Sequence, residues 1–492
     1  MLQDIEKRYD IVIGLEVHAQ LSTDSKLFSP ASTAFGQEPN ANTAPVCLGL
    51  PGTLPVLNEE AINMAIKAGF ALNCKIRNYS VFARKNYYYA DLPKGYQISQ
   101  YDKPLCEHGF LDIDVNGSTK KIGVTRIHVE EDAGKLVHQG SDAIDGASCS
   151  FVDLNRAGVP LIEIVSEPDI HSIAEARAYL ELLREILVHV DVCDGNMEEG
   201  SLRCDANVSL KPKGSNTLGT RTETKNLNSF RSLERALTAE IKRQAALLDK
   251  GETVIQETRN YNDATQSTTA LRSKEDAHDY RYFPDPDIPP LILSDAHIQN
   301  IQEALPELPQ VKRKRYADTL EISQNDIKVL LNDRLLDRFF QAACEYSAEK
   351  VAAKTLSNWI VGELSAQLKN FPKDVLFNQL SPESFSDLVQ AVSSGKIASN
   401  QAKAILSEVL KTGQAASTLI EKESAEVISD DGILKQLVEE IFQEDPSAKE
   451  KFYGSDAKAQ SKVANFIMGQ IMKKTKGKVK PDAVKAFLST LS

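Results

Sequence analysis

Carboxylates, imidazoles and cations recur on one phase of several β-type alternations in this chain. In YDIVIGLEVHAQL, Ile11, Ile13, Leu15 and Val17 fall on one face of a strand, and Val12, Gly14, Glu16, His18 and Gln20 fall on the other, because strand side chains alternate with period two. GVTRIHVEEDAGK places Arg126, His128 and Glu130 on one face, with Glu131 on the opposite phase. PLIEIVSEPD carries Glu163 and Glu167, GSLRCDANVSL aligns Ser201, Arg203, Asp205, Asn207 and Ser209, and TRTETKNLNSF alternates Arg221, Glu223 and Lys225. A wetted antiparallel face is polar as a matter of course, but histidine among several glutamates is an uneconomical way to fill one. Such a set suits a hard divalent cation shared with phosphate: Mg²⁺ takes oxygen ligands and keeps waters, while Arg and Lys meet phosphoryl charge. The sequence has neither GxxxxGK[ST] nor GxGxxG, so a nucleotide, if bound, is expected on this sheet. In FARKNYYYADLPKGYQISQYDKPL, Tyr87, Tyr88 and Tyr89 are flanked by Lys85 and Lys94. That pattern fits a nucleotide or an RNA 3′ end stacking on rings, and it fits an ordinary strand and turn nearly as well. No Gly-x-Ser-x-Gly, Ser-rich amidase stretch or helix-start Cys beside a His occurs, so glutamine hydrolysis is not expected of this chain.

The elements that must position these residues divide along the chain. Its 492 residues imply about three domains. Glycine and β-branched or aromatic alternation dominate up to about 290, and after FPDPDIPPL the pattern turns helical. Further joints are expected near 371–382 and Gly413. The formal charge is 57 − 69 = −12, which argues against a protein that coats nucleic acid, DNA included. Locally, however, Lys451–Ser492 carries nine lysines against Asp456 and Asp482, nine minus two giving +7, which suits contact with a phosphate backbone. The seven cysteines are scattered without a CxxC pair, so neither a disulfide framework nor structural zinc is expected. No apolar run is long enough for a membrane span, and the N-terminus has no secretory pattern. A cytoplasmic protein is the expectation.

The strings IGLEVHAQL, CLGLPGTLPVLN, RKNYYYADLPKGYQISQYD, HVEEDAGK, VDLNRAGVPLIEIVSEPD, MEEGSLRCDANVS, TKNLNSF and DYRYFPDPDIPPL, in this order along the whole chain, resemble the B subunits of aspartyl/glutamyl-tRNA(Asn/Gln) amidotransferases. The tail FIMGQIMKKTKGKVKPDAV is similar to that family's C-terminal helical module. The resemblance implies an α+β fold: an antiparallel-sheet cradle domain (1–292) similar to the glutamine synthetase catalytic fold, then an all-α middle domain (293–405) and a helical tRNA-binding tail (406–492). It implies ATP-dependent transamidation of Glu-tRNA(Gln), Asp-tRNA(Asn) or both through an acyl phosphate. The ammonia would come from a separate glutaminase, the amidase (A) chain, and a small third (C) chain would strap the two together into a heterotrimer. Neither DNA nor membrane is an expected partner. Carried over by position, His18, Glu131 and Glu163 are the expected Mg²⁺ ligands. Glu16 and Glu130 are alternative or supporting ligands, or a general base toward incoming ammonium. Lys85 is the expected cation at the transferred phosphoryl, and Lys94, Arg126, Arg156 and Arg203 are the expected ATP contacts.

One departure is Ala44 in APVCLG, where many members resemble CPVCLG; Cys47 alone cannot anchor a zinc knuckle, so no zinc is expected. Two other readings are weighed against the resemblance. A tRNA-binding scaffold has no need of a His-and-carboxylate cluster, and a ligase acting on free glutamate has no need of the basic tail.

Overall fold

The computed structural model describes residues 2–491 apart from 141–146, 264, 274–279, 348–349, 373–374, 426–430, 455–456 and 476–480. It is an α+β chain of two compact units, divided after Pro309.

The first unit is built on a nine-stranded sheet: β1 (Tyr9–Gln20), β2 (Lys75–Ile76), β3 (Cys106–Val115), β4 (Ser118–Glu131), β5 (Pro160–Ser166), β6 (Leu202–Pro212), β7 (Thr222–Leu227), β8 (Glu257–Asn262) and β9 (Ser267–Ser273). Their spatial order is β9-β8-β7-β6-β1-β5-β4-β3-β2, with antiparallel pairing throughout except for β7 against β8. The long first strand therefore sits near the centre, and the alternation read in it holds: Ile11, Ile13, Leu15 and Val17 are buried. They pack with Ile127, Val129, Ile162, Ile164, Cys204, Ala206 and Val208 under three helices, α1 (Glu59–Ala71), α2 (Ile173–His189) and α3 (Phe230–Asp249). Each helix starts on a side-chain cap: Asn58 accepts from the Glu60 amide, Ser172 from Glu175 and Ser229 from Ser232. With the helices on one face, the polar phase of every strand is left on the other.

The turn from β3 to β4 is Asn116-Gly117, both residues at positive φ (52° and 80°) between the paired Val115 and Ser118. This is the two-residue hairpin geometry that Asn-Gly favours. A second, three-stranded sheet of Phe82–Asn86, Tyr96–Gln100 and Phe283–Pro284 is tied to the end of β4. Ser99 Oγ donates to Glu130, and the Ile98 amide donates to Glu131 at 2.9 Å.

The expected boundary at 292 falls too early, because Leu293 and Ile301 are buried in the core of the first unit. The second unit is helical and holds two hydrophobic cores, one drawn from Tyr316 to Ile420 and the other from Leu434 to Leu488. A division at 405/406 would cut the helix Ser399–Thr412, whose Ile405, Leu406, Val409 and Leu410 all sit in the first of these cores. Gly413 does cap that helix in the left-handed region (φ 70°), yet the same core continues to Ile420. Among the tail lysines, Lys451, Lys462, Lys473 and Lys485 are exposed, whereas Lys476, Lys478 and Lys480 lie outside the described residues. No helix among the described residues is long and apolar enough to cross a membrane.

A buried polar triad holds the first helical core together. Lys312 Nζ donates to Asp337 at 2.6 Å and Tyr316 Oη donates to its other oxygen at 2.6 Å, all three residues being buried. Removing the shared anion leaves an uncompensated buried cation, so Asp337→Ala should cost the second unit about 3–5 kcal/mol. Urea unfolding followed by the fluorescence of Trp359 in that unit would measure the loss.

Candidate active site

Strand register brings the chemistry-bearing side chains into rows. Arg203 on β6 pairs with His18 on β1, His18 with Glu163 on β5, and Glu163 with His128 on β4. One step along, Asp205 pairs with Glu16, Glu16 with Val165, and Val165 with Arg126. His18 Nε2 lies 3.4 Å from Glu163 and 3.7 Å from Glu16. His128 Nε2 lies 3.4 Å from Glu130 and 3.5 Å from Glu163. Two triads have ligand-type atoms all within 4.8 Å of one another: His18, Glu130 and Glu163, and Glu16, His18 and Asp205.

The electrostatics follow from packing acids and imidazoles together out of water. Burial alone would raise the Glu163 carboxyl, but His128, His18 and Lys85 hold it far below the usual carboxylate range. Burial would lower His18, yet its hydrogen bond to Glu163 and the charges of Glu163, Glu130 and Glu16 lift it to about 9. For Glu16, burial and the Glu163 charge outweigh the opposing pull of His18 and Lys225 and push its carboxyl up to about 7. The cluster thus holds protons where a cation could replace them.

A cavity of about 450 Å³ opens over these rows, lined among others by His18, Glu130, Lys85, Arg203, Asp205 and Lys225 and by the rings of Tyr87, Tyr89 and Tyr280. Lys85 reaches it from the strand Phe82–Asn86, its Nζ 4.9 Å from the Tyr280 ring centre. Despite burial, Glu130, Tyr282, Glu163 and Tyr280 keep its ammonium above the usual lysine range. Lys225 bonds Asp205 at 3.0 Å and Glu223 at 3.2 Å. Arg203 forks onto both oxygens of buried Asp132 at 2.8 and 3.0 Å, and Gln20 donates to the same carboxylate at 2.7 Å.

Of the residues expected from sequence, His18, Glu16, Glu130, Glu163, Lys85 and Arg203 converge here, with Arg126 at the flank 3.4 Å from Glu163. Three do not. Glu131, on the opposite phase from Glu130, turns away from His18 and pairs with Lys94, and also accepts from the Ile98 amide. Glu130 takes the place expected of Glu131, and Lys94 is committed to holding the three-stranded sheet. Arg156 donates to the carbonyls of Ala133 and Gly134 at 2.8 and 2.7 Å, bracing the turn that carries Asp132. Four contributors were not singled out. His128, Asp205 and Lys225 lie on the polar phases already read, so the alternation contained their signal. Tyr280 arrives through the bond of Asn86 Nδ2 to its carbonyl, which no local pattern announces.

The donor set fits a divalent cation. Glu130 and Glu163 offer the hard oxygens that Mg²⁺ requires, and His18 adds an imidazole that Mn²⁺ also accepts. His128 Nδ1 is buried without a hydrogen-bond partner among the described residues, an orphan that an ordered water would satisfy.

Residues 11–299 match the family description "GatB/GatE catalytic domain", and residues 338–491 match "GatB domain". Three relatives each bear the name of the B subunit of aspartyl/glutamyl-tRNA(Asn/Gln) amidotransferase. That of Syntrophotalea carbinolica is 48% identical over 481 residues, covering 98% of each chain. That of Oleidesulfovibrio alaskensis is likewise 48% identical over 481 residues with 98% of each chain covered. That of Persephonella marina is 47% identical over 483 residues, covering 98% of this chain and 99% of its own. The catalytic-domain description spans all but the first two residues of the sheet and every residue lining the cavity, and the relatives match nearly from end to end. The chain belongs to the family of aspartyl/glutamyl-tRNA(Asn/Gln) amidotransferase B subunits.

Proposed function

We propose that this chain activates and amidates the side-chain carboxylate of misacylated Glu-tRNA(Gln), Asp-tRNA(Asn) or both. ATP would be the phosphoryl donor, and a partner amidase chain, held by a small third chain in the cytoplasm, would supply the ammonia. The cradle would work as a glutamine synthetase-like sheet. The single observation that carries the reading is the row Arg203–His18–Glu163–His128, whose Arg203 and His18 face Lys85 across one cavity.

The chemistry asks for what the cavity offers. A carboxylate is a poor electrophile because its amidation would expel oxide, and phosphorylation supplies a leaving group. Two anions must meet for that transfer, so cations must wait for them. Lys85, Arg203 and Lys225 stand on the cavity wall for this purpose, and Asp132 and Asp205 fix the last two in place. His18, Glu130 and Glu163 would hold Mg²⁺, which when bound shields phosphate charge. Glu16, raised to about 7, is matched to accept a proton from ammonium at neutral pH. The exposed face of Tyr89 on the cavity wall offers a stacking surface for a nucleotide or an acceptor end.

Amidation tests the reading directly. With the partner chains, ATP, Mg²⁺ and glutamine, Glu163→Gln and His18→Ala should lose roughly 10²–10³-fold in glutamine formed on tRNA while tRNA binding is kept. Wild-type rates in both variants, with tRNA bound, would exclude this cluster as the site of the reaction. Glu131→Gln should behave differently, keeping amidation while lowering thermal stability, because its partner is Lys94.

A pH series reads the same cluster. Glu16 and His18 both hold their protons more tightly folded than unfolded. Without divalent cation their stabilising contribution is therefore complete below the ordinary glutamate and histidine values. It is lost as pH rises through about 7 for Glu16 and about 9 for His18. The melting temperature should fall across this span, Glu16→Gln should remove the lower part of the fall, and added Mg²⁺ should raise stability most at the alkaline end.

A further inference from the structure

Outside the cavity, Lys26 is buried to 1% exposure, and its Nζ donates to the carbonyls of Ala157 at 2.7 Å and Leu154 at 3.2 Å and lies 3.6 Å from the Sγ of Cys47. Cys47 is itself buried, in a tight turn of the loop between β1 and α1, with Ser29 Oγ 3.4 Å from its sulfur. The transamidation chemistry uses none of these groups. The exposed Cys149, by contrast, sets its thiol on the side-chain carbonyl of Gln139. A buried amine held 3.6 Å from a thiol differs from a solitary cysteine: it brings a nitrogen nucleophile within contact distance of whatever the sulfur becomes.

We infer that Lys26 and Cys47 form a peroxide-responsive pair that closes into a covalent sulfur–nitrogen bond between two points of the long connection from β1 to α1. In the first step the thiolate attacks one oxygen of hydrogen peroxide and the O–O bond breaks. The leaving hydroxide takes a proton from the Lys26 ammonium, giving Cys47 sulfenic acid, neutral Lys26 and one water. In the second step Lys26 Nζ attacks the sulfenic sulfur, an S–N bond forms, the S–O bond breaks, and a second water leaves. Sulfur is oxidised, peroxide is reduced, and the product is a sulfenamide of the kind sulfenic acids form with nitrogen, reversible by thiols. Two features favour closure over further oxidation. Burial already pushes the Lys26 ammonium below the usual lysine range, easing loss of its proton. The two carbonyls hold Nζ beside the sulfur before any reaction occurs. The bond would draw the loop against Gly158, where a Cβ would lie 3.5 Å from the Lys26 stem and 3.9 Å from the Glu131 carboxylate, the same Glu131 that anchors Lys94.

The test treats the purified full chain with hydrogen peroxide, blocks residual thiols without reductant and maps the tryptic peptides. The expected product is the single uncut peptide Tyr9–Lys67, which holds both Lys26 and Cys47, lighter by two hydrogens. Trypsin should fail to cut after Lys26, and dithiothreitol should restore both the cut and the thiol. Cys47→Ser should leave Lys26 fully cleavable under the same peroxide, and Lys26→Met should carry Cys47 onward to sulfinic acid. If Lys26→Met does not fold, the wild-type map decides alone. Cys47 remaining a free thiol when Cys149 is already oxidised would overturn the inference, as would Cys47 reaching sulfinic acid while Lys26 is still cut.

Discussion

Two glutamates held out of water within reach of the same imidazoles cannot both stay ionised unless positive charge is threaded between them. That constraint governs the first unit. Glu163 keeps its charge because His18 approaches from β1, His128 from β4 and Arg126 from the flank, each at 3.4–3.5 Å. Those approaches come from different strands, so they exist only if β1, β5 and β4 lie in one register. The apolar phase of the same strands secures it: moving any strand by one residue would bury charge beneath the helices and expose Ile or Val to the cavity. The core and the charged cluster are two faces of one alignment.

Burial and reactivity divide the ionisable groups accordingly. Residues whose charge is fully answered serve geometry: Asp132 under Arg203, Glu131 under Lys94, Asp337 under Lys312 and Tyr316. Residues whose charge is answered only in part, Glu16 above all, retain a proton affinity that chemistry can use. Lys85 lies between these groups, held as a cation by acids it faces across space.

How much of this was legible depends on whether the signal was local. Period two in the strand sequences identified the charged face and most of its members, since alternation is a property of neighbouring residues. It also placed Glu131 opposite Glu130, and the motif resemblance overrode that phase in favour of Glu131; the structure sides with the phase. Lys94, Arg156 and Tyr280 were beyond such reasoning, because their partners come from segments far off in the chain and lie in turns, where no periodicity constrains a side chain. The limits of the helical domains were blurred for a related reason. A glycine that ends a helix, as Gly413 does, need not end a core, and Pro-rich FPDPDIPPL marks where strands stop rather than where packing does.

The Asn116-Gly117 turn lies at the far end of β4 from His128 and Glu130, yet it sets where they arrive. From Val115–Ser118 to Cys106–Ile127 the hairpin pairs without a break in register, so no bulge along that edge absorbs an error. Over a strand of 14 residues, roughly 45 Å at about 3.3 Å per residue, the turn acts as the zero mark of a ruler whose last divisions are His128, Glu130 and Glu131. A slip of β4 by one residue would exchange the two adjacent glutamates, swapping the acid of the cavity for the acid that staples the neighbouring sheet. A hairpin tip on the surface is, in this chain, in unbroken register with the charged side chains at the other end of its strand.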